Sequence, residues 1–187
     1  MNIANKISTF RILSVPFFIA SMAYYSQERN FLRFWALSIF ILAAVSDAAD
    51  GYMARKSKQQ SKAGLVLDPL GDKLLLMSAF ICLTINNALT FKFPLWVTLV
   101  VISRDVLIIL GTIVIYIVKQ NINIVSIKWG KFSTAFQMLA VIAVLLQLKY
   151  AFIFWWPAVI FTVLSGVIYI NRGFKVLYAL DNSRNNY

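Results

Sequence analysis

The chain has 187 residues, 60% of them apolar, with a mean hydropathy of +0.76 and a formal net charge of +11. A soluble domain of this length is closer to half apolar, so the composition points to one compact domain, residues 1–187, built for a membrane. The Lys and Arg residues gather in the connections between apolar runs rather than in a stripe, which argues against nucleic acid and for anionic membrane lipids.

Six apolar spans are predicted, giving an all-α integral membrane bundle. Lys6 and Arg11 precede the first, which runs to about Tyr25, and Pro16 is expected to kink it. A signal peptide, with Ser21 and Ala23 as a weak cleavage site, is the rival to a retained helix here. A polar loop from Gln27 to Asn30 leads to a second span, about Phe31 to Ala49. The third runs from about Leu65 to Ile85 and includes the single Cys82, read as a small core residue. Asn86, Asn87 and Thr90 make a turn, and Pro94 opens a fourth span ending near Val118. After a basic loop from Lys119 to Lys131, the fifth span covers about Phe132 to Leu148. Trp155, Trp156 and Pro157 open the sixth, which ends near Ile170; Trp at that point suits a membrane interface. The polar tail, Asp181 to Tyr187, is expected to fray.

Six spans place both termini on one side. Thirteen Lys and Arg fall on that side, and Arg29, Arg33, Lys92 and Lys149 on the other. The positive-inside rule therefore predicts that the termini and the loop after the second span face the cytoplasm of a bacterial-type inner or cell membrane.

That loop is bounded by acidic residues. Of the seven in the chain, Asp47, Asp50, Asp68 and Asp72 lie within 26 positions. On helices, Asp47 and Asp50 share one face, as do Asp68 and Asp72. If all four meet, each close pair repels by about 4 kcal/mol at 4 Å and an effective dielectric near 20. Divalent cations are the natural remedy. With no His in the chain, the donors are oxygens, which suit Mg²⁺, Mn²⁺ or Ca²⁺ rather than zinc. The plain alternative is a helix–loop–helix with a solvated charged loop, which has no need of this spacing.

The segment reads DxxDGxxAR, eight residues, then GxxxDxxxD, through Asp47, Asp50, Gly51, Ala54, Arg55, Gly64, Asp68 and Asp72. It resembles the signature of the CDP-alcohol phosphatidyltransferases. The resemblance extends from about Asn5 to Gln137. It implies a six-helix bundle, usually a homodimer, that moves a phosphatidyl group from CDP-diacylglycerol to an alcohol and releases CMP. Two cations, Mg²⁺ or Mn²⁺, would be held by the four aspartates, with Asp72 also the base. Arg55 would neutralise the diphosphate, Gly51 would permit close backbone approach, and Ala54 would keep that face small. Gly64 completes the pattern, and Ser61 could donate to a phosphate. Asn5, Ser8, Arg11 and Pro16 are similar to the family's amino-terminal pattern, with Ser8 where Thr is more usual, and imply a polar face near the nucleotide. Lys73 reads as charge balance.

Arg104 lies mid-span in ISRDV, where a charge costs about 2.5–3.5 kcal/mol on insertion scales. It is expected to hold an anionic group of the acceptor, or else to pair with a carboxylate on another helix. Its neighbour Asp105 is expected to be a poor partner, since adjacent residues on a helix point apart. Gly130, Lys131, Thr134 and Gln137 are similar to the family's GKxKTxxQ stretch, with Ser133 in place of the second Lys. Lys131 is then an acceptor ligand or a snorkelling interfacial lysine. A phosphorylated alcohol is the expected acceptor, with glycerol 3-phosphate first. Phosphatidylglycerol, as in the cardiolipin-making branch, is the runner-up, favoured by ISRDV and Ser133; inositol phosphate is third. A scaffold or a divalent-cation transporter is the alternative of a different class. A transporter would place its carboxylates along a path through the midplane, whereas these cluster at one face.

Overall fold

The computed structural model describes the backbone of residues 3–56, 64–119 and 128–184, and side chains at 10–46, 73–111, 129–171 and 173. Among these residues there are six α-helices and no strand: α1 (Ile3–Ala23), α2 (Asn30–Lys56), α3 (Gly64–Ile85), α4 (Leu95–Lys119), α5 (Lys128–Leu145) and α6 (Phe152–Arg184). A single 3₁₀ turn, Gln27–Arg29, enters α2. The helices form two groups of three. In one, α1 packs against both α2 and α3; in the other, α6 packs against both α4 and α5. The groups meet where α3 touches α4 and α5, and where α2 touches α5.

The helices match the predicted spans in number and order but not always in length. Pro16 lies inside α1 without ending it, and α2 continues to Lys56, so the whole DxxDGxxAR stretch is helical. The sixth helix is the largest correction. It runs to Arg184, well past Ile170 and into the tail expected to fray. At 1.5 Å per residue, its 33 residues reach about 50 Å, against roughly 30 Å of hydrocarbon. Apolarity marks where a span ends; a helix ends only where a breaker or cap stops it, and no proline follows Pro157.

One such stop closes α5. Leu148 N–H donates to the Ala143 carbonyl (3.0 Å) and Gln147 N–H to that of Val144 (2.9 Å), with Gln147 at φ 54°. This is a Schellman arrangement with Gln in the left-handed position usually given to Gly. The Gln147 side chain offsets the backbone cost. Its amide oxygen accepts from the N–H groups of Thr90 and Phe91, both at 2.9 Å, and its amide nitrogen donates to the Phe91 and Val144 carbonyls, both at 2.8 Å. The α3–α4 and α5–α6 connections are thereby clamped together. At the same end, the Asn86 amide donates to the Met22 carbonyl at 2.7 Å and ties α3 to α1.

The interior has two halves. At the clamped end it is mainly apolar: Phe18 and Met22 from α1, Phe40 from α2, Phe80 and Leu83 from α3, Phe93 just before α4, Val97 in its first turn, and Val144 and Leu145 from α5 are all buried, and the only polar side chains among them in the described residues, Thr84 and Thr98, pair with each other. Phe80 and Phe93 stack at 4.5 Å, and Phe18 meets Phe40 at 6.1 Å. Towards the other end the same helix faces become polar. In α4, Val97 and Val101 are followed at helical spacing by buried Arg104 and Asp105. In α6, Ala158 is followed by Thr162 and Ser165; in α5, reading backwards, Val141 and Val144 give way to Gln137 and Ser133; in α1, Phe18 gives way to Ser14 and Arg11. The outside shows the reverse pattern, with large apolar side chains such as Phe17, Trp35, Leu42, Leu107, Phe132 and Val167 exposed on all sides. Among the described residues two stretches, Gln27–Ser46 and Phe152–Asn171, are long and apolar enough to cross a membrane, and less than a quarter of each is buried.

Candidate active site

The polar half of the interior lies toward the end of the bundle where α2 finishes and α3 starts. Asp47, Asp50, Gly51, Ala54 and Arg55 occupy the last turns of α2. Gly64 is the first residue of α3, with Asp68 and Asp72 in its opening turns. Helical backbone on both sides puts each aspartate pair on one helix face, as the spacing predicts. Asn5 and Ser8 lie in the first turns of α1. The side chains of these ten residues, and Ser61 entirely, lie outside the described residues. The donors available at the two helix ends are carboxylate oxygens, which fit a hard divalent cation. Among the described residues there is no cluster of three or more His, Cys, Asp or Glu side chains that could hold a metal.

Directly below this end, α3, α4, α5 and α6 converge on a charged cluster. Arg104 is 6% exposed and Asp105 is fully buried. The Arg104 Nη1 donates to Asp105 Oδ1 at 2.6 Å, and the Lys73 ammonium, from α3, donates to the same oxygen at 2.5 Å. The other guanidinium nitrogen, Nη2, donates to Ser165 Oγ on α6 at 2.6 Å. Among the described residues, Asp105 Oδ2 and Arg104 Nε have no hydrogen-bond partner.

The expectation that Asp105 would be a poor partner for Arg104 is therefore wrong. Adjacent Cβ atoms do diverge on a helix, but an arginine side chain is long enough to fold back across the angle between them. Lys73 likewise does more than balance Asp72, since it crosses to α4. Neither Asp105 nor Ser165 is among the site residues that the sequence predicts. A signal for Asp105 was present: it falls at i+8 from Val97 and i+4 from Val101, on the helix's core stripe, where a carboxylate requires a cation.

Glycine makes room for the guanidinium. A Cβ at Gly130, on the first turn of α5, would lie 3.3 Å from Arg104 Nη2 and 3.5 Å from Ser165 Oγ; one at Gly166 would lie 3.5 Å from Arg104 Cγ. The structure thus brings Arg104 to the start of α5, where Lys131 follows Gly130 with its side chain exposed. Ser133, one turn on, is fully buried. Its hydroxyl is 2.9 Å from that of Thr162, and Gln137 Nε2 donates to both, at 3.2 and 2.8 Å. A lysine at 133 would place its stem in this α5–α6 hydroxyl seam; serine closes the seam instead.

Residues 1–164 match the CDP-alcohol phosphatidyltransferase family. A probable phosphatidylglycerophosphate synthase of Mycobacterium tuberculosis is 29% identical over 180 residues, 93% of this chain and 82% of the relative. The CDP-diacylglycerol–glycerol-3-phosphate 3-phosphatidyltransferase of Bacillus subtilis is 32% identical over 199 aligned residues, covering 94% of this chain and 97% of the relative. Its namesake in Haemophilus influenzae is 32% identical over 142 residues, 74% of this chain and 72% of the relative. With the signature set on two helix ends above a buried guanidinium, and a family match over most of its length, the chain belongs to the CDP-alcohol phosphatidyltransferases.

Proposed function

We propose that this protein transfers the phosphatidyl group of CDP-diacylglycerol to glycerol 3-phosphate, giving phosphatidylglycerophosphate and CMP, from within a membrane and with its site open to the cytoplasm. The observation that carries the proposal is the position of Arg104: a buried guanidinium with unused donors, below the end of the bundle that bears the four aspartates. The names of the Bacillus and Haemophilus relatives support the same acceptor. The exposed apolar exterior supports immersion in lipid and leaves surface for a homodimer.

Asp47, Asp50, Asp68 and Asp72 would hold two divalent cations, Mg²⁺ or Mn²⁺. Bound there, the cations would polarise the diphosphate and stabilise the leaving phosphate. Arg55 would pair with the same diphosphate, while Gly51, Ala54 and Gly64 keep the helix surfaces low beneath the nucleotide; Asn5, Ser8 and Ser61 would supply polar contacts around it. The acceptor hydroxyl oxygen bonds to the lipid-side phosphorus, the bond from that phosphorus to the bridging oxygen breaks, and CMP departs. The hydroxyl proton passes to Asp72. Arg104, with Lys131 at the start of α5, would hold the acceptor's own phosphate so that its hydroxyl meets the phosphorus.

Ser133 favours a second reading. With a hydroxyl where a lysine would stand, the pocket has one cation fewer, which suits phosphatidylglycerol, a singly charged phosphodiester, and hence cardiolipin synthesis. Purified protein supplied with CDP-diacylglycerol and Mg²⁺ and offered glycerol 3-phosphate, phosphatidylglycerol and inositol phosphate in parallel decides between them. Phosphatidylglycerophosphate, identified by mass spectrometry, is the expected product. Cardiolipin formation with none from glycerol 3-phosphate would replace the first reading by the second, and no lipid product from any acceptor would refute both.

A further inference from the structure

Taking Arg104 as the acceptor's anchor, we propose that Asp105 is a positioning residue for acceptor recognition: one of its oxygens fixes Arg104 on α4 and Lys73 on α3 relative to each other. Asp105 is fully buried and reaches no solvent of its own. Its Oδ1 receives Arg104 Nη1 at 2.6 Å and Lys73 Nζ at 2.5 Å. A guanidinium has five N–H donors. Among the described residues two are engaged, one by Asp105 and one by Ser165, which leaves three, and Nε has no partner. The carboxylate and the hydroxyl thus hold the fork from one side and leave the other for a ligand.

Charge decides what that ligand is. An isolated Arg104–Asp105 pair would be neutral and would have little pull on a phosphate. Sharing the carboxylate with Lys73, whose side chain is partly exposed, sets two basic groups against one acid, so the cluster carries a surplus of positive charge beside the buried guanidinium. Because Lys73 follows Asp72 on α3, the same oxygen also sets the distance between the helix bearing the proton acceptor and the guanidinium bearing the acceptor's phosphate. Asp105 touches neither substrate in this account; it acts through Arg104 and Lys73.

The test is a double-mutant cycle on the purified protein with CDP-diacylglycerol and glycerol 3-phosphate, using Asp105→Asn, Arg104→Ala and the pair, with kinetics for both substrates and thermal midpoints on the same preparations. Asp105→Asn is expected to lower kcat/KM for the acceptor roughly ten-fold, as for one lost charge-assisted hydrogen bond, with the KM for CDP-diacylglycerol nearly unmoved. In the Arg104→Ala background the second change is expected to add little, because the residue it positions is gone. Fully additive losses, or an equal loss toward both substrates, would overturn the positioning role in favour of a merely structural one. Normal acceptor kinetics in Asp105→Asn beside impaired Arg104→Ala would overturn this inference alone. Normal acceptor kinetics in Arg104→Ala would overturn the anchor reading and this inference with it. If Asp105→Asn does not assemble, Lys73→Met removes the surplus charge from the other side and is expected to raise the acceptor KM; an unchanged KM would refute the charge argument.

Discussion

Replacing Gly130 by alanine separates packing from catalysis, because the two are expected to move in opposite directions. Gly130 sits in the first turn of α5, and the added methyl would meet Arg104 Nη2 at 3.3 Å and Ser165 Oγ at 3.5 Å. The 3.5 Å contact is ordinary and only the 3.3 Å one is tight, by about a tenth of an ångström or two; that nearer atom ends a long side chain, so the helix accommodates the methyl and the guanidinium yields. Alanine in place of glycine stabilises a helix by about 0.5–1 kcal/mol, and at this chain length 1 kcal/mol moves a thermal midpoint by about 2–4 °C. The midpoint should therefore stay level or rise by up to about 4 °C. Catalysis should suffer, since a misplacement of about 1 Å in a positioning group can cost 10²-fold; a shift of a few tenths should cost about 3- to 10-fold in acceptor kcat/KM. The assay is phosphatidyl transfer at varied glycerol 3-phosphate, with midpoints in the same detergent. Acceptor kinetics equal to the parent's would refute the idea that this glycine exists to seat Arg104. A midpoint many degrees lower would show that the methyl is relieved by moving α5 and not the side chain.

Asp47→Asn and Asp68→Asn are each expected to abolish transfer while the protein still assembles; activity surviving in either at saturating Mg²⁺ would exclude the paired-cation site. Asp72→Asn should lower turnover by roughly 10²–10⁴-fold, the usual worth of a general base, with CDP-diacylglycerol still bound. Loss of that binding would reassign Asp72 to holding metal. At the opposite end, Gln147→Ala removes four hydrogen bonds while keeping the left-handed backbone. At roughly 0.5–1.5 kcal/mol each, less the share water replaces at exposed Thr90, the loss is about 2 kcal/mol or a midpoint about 4–8 °C lower. The acceptor KM should not change, and a changed one would contradict the separation of the two ends.

The sequence disclosed what repeats and what is rigidly spaced. Six apolar runs gave the helices, and eight fixed positions from Asp47 to Asp72 marked the ends of α2 and the start of α3. Less legible was anything that depends on the reach of a side chain between helices. Lys73 and Asp105 are 32 residues apart, Arg104 and Ser165 are 61 apart, and no local pattern couples them. The rule that helical neighbours diverge concerns Cβ directions, so it misjudged a four-bond side chain. The extent of α6 was lost for a different reason: its last turns are polar, and apolarity was the only ruler in use.

The apolar half of the interior has a consequence for the membrane itself. Phe18, Phe40, Phe80 and Phe93 close the bundle at the end away from the aspartates, and Gln147 and Asn86 staple the loops across it. An ion or proton that enters with the substrates meets a barrier of packed aromatic rings before it reaches the far side, and desolvating it there costs on the order of several kcal/mol. Under the proposed function, these rings would keep metal-assisted transfer at one end of the bundle from becoming a leak for a gradient across the membrane. The same barrier is hard to reconcile with transport, which would require a path that these rings occupy.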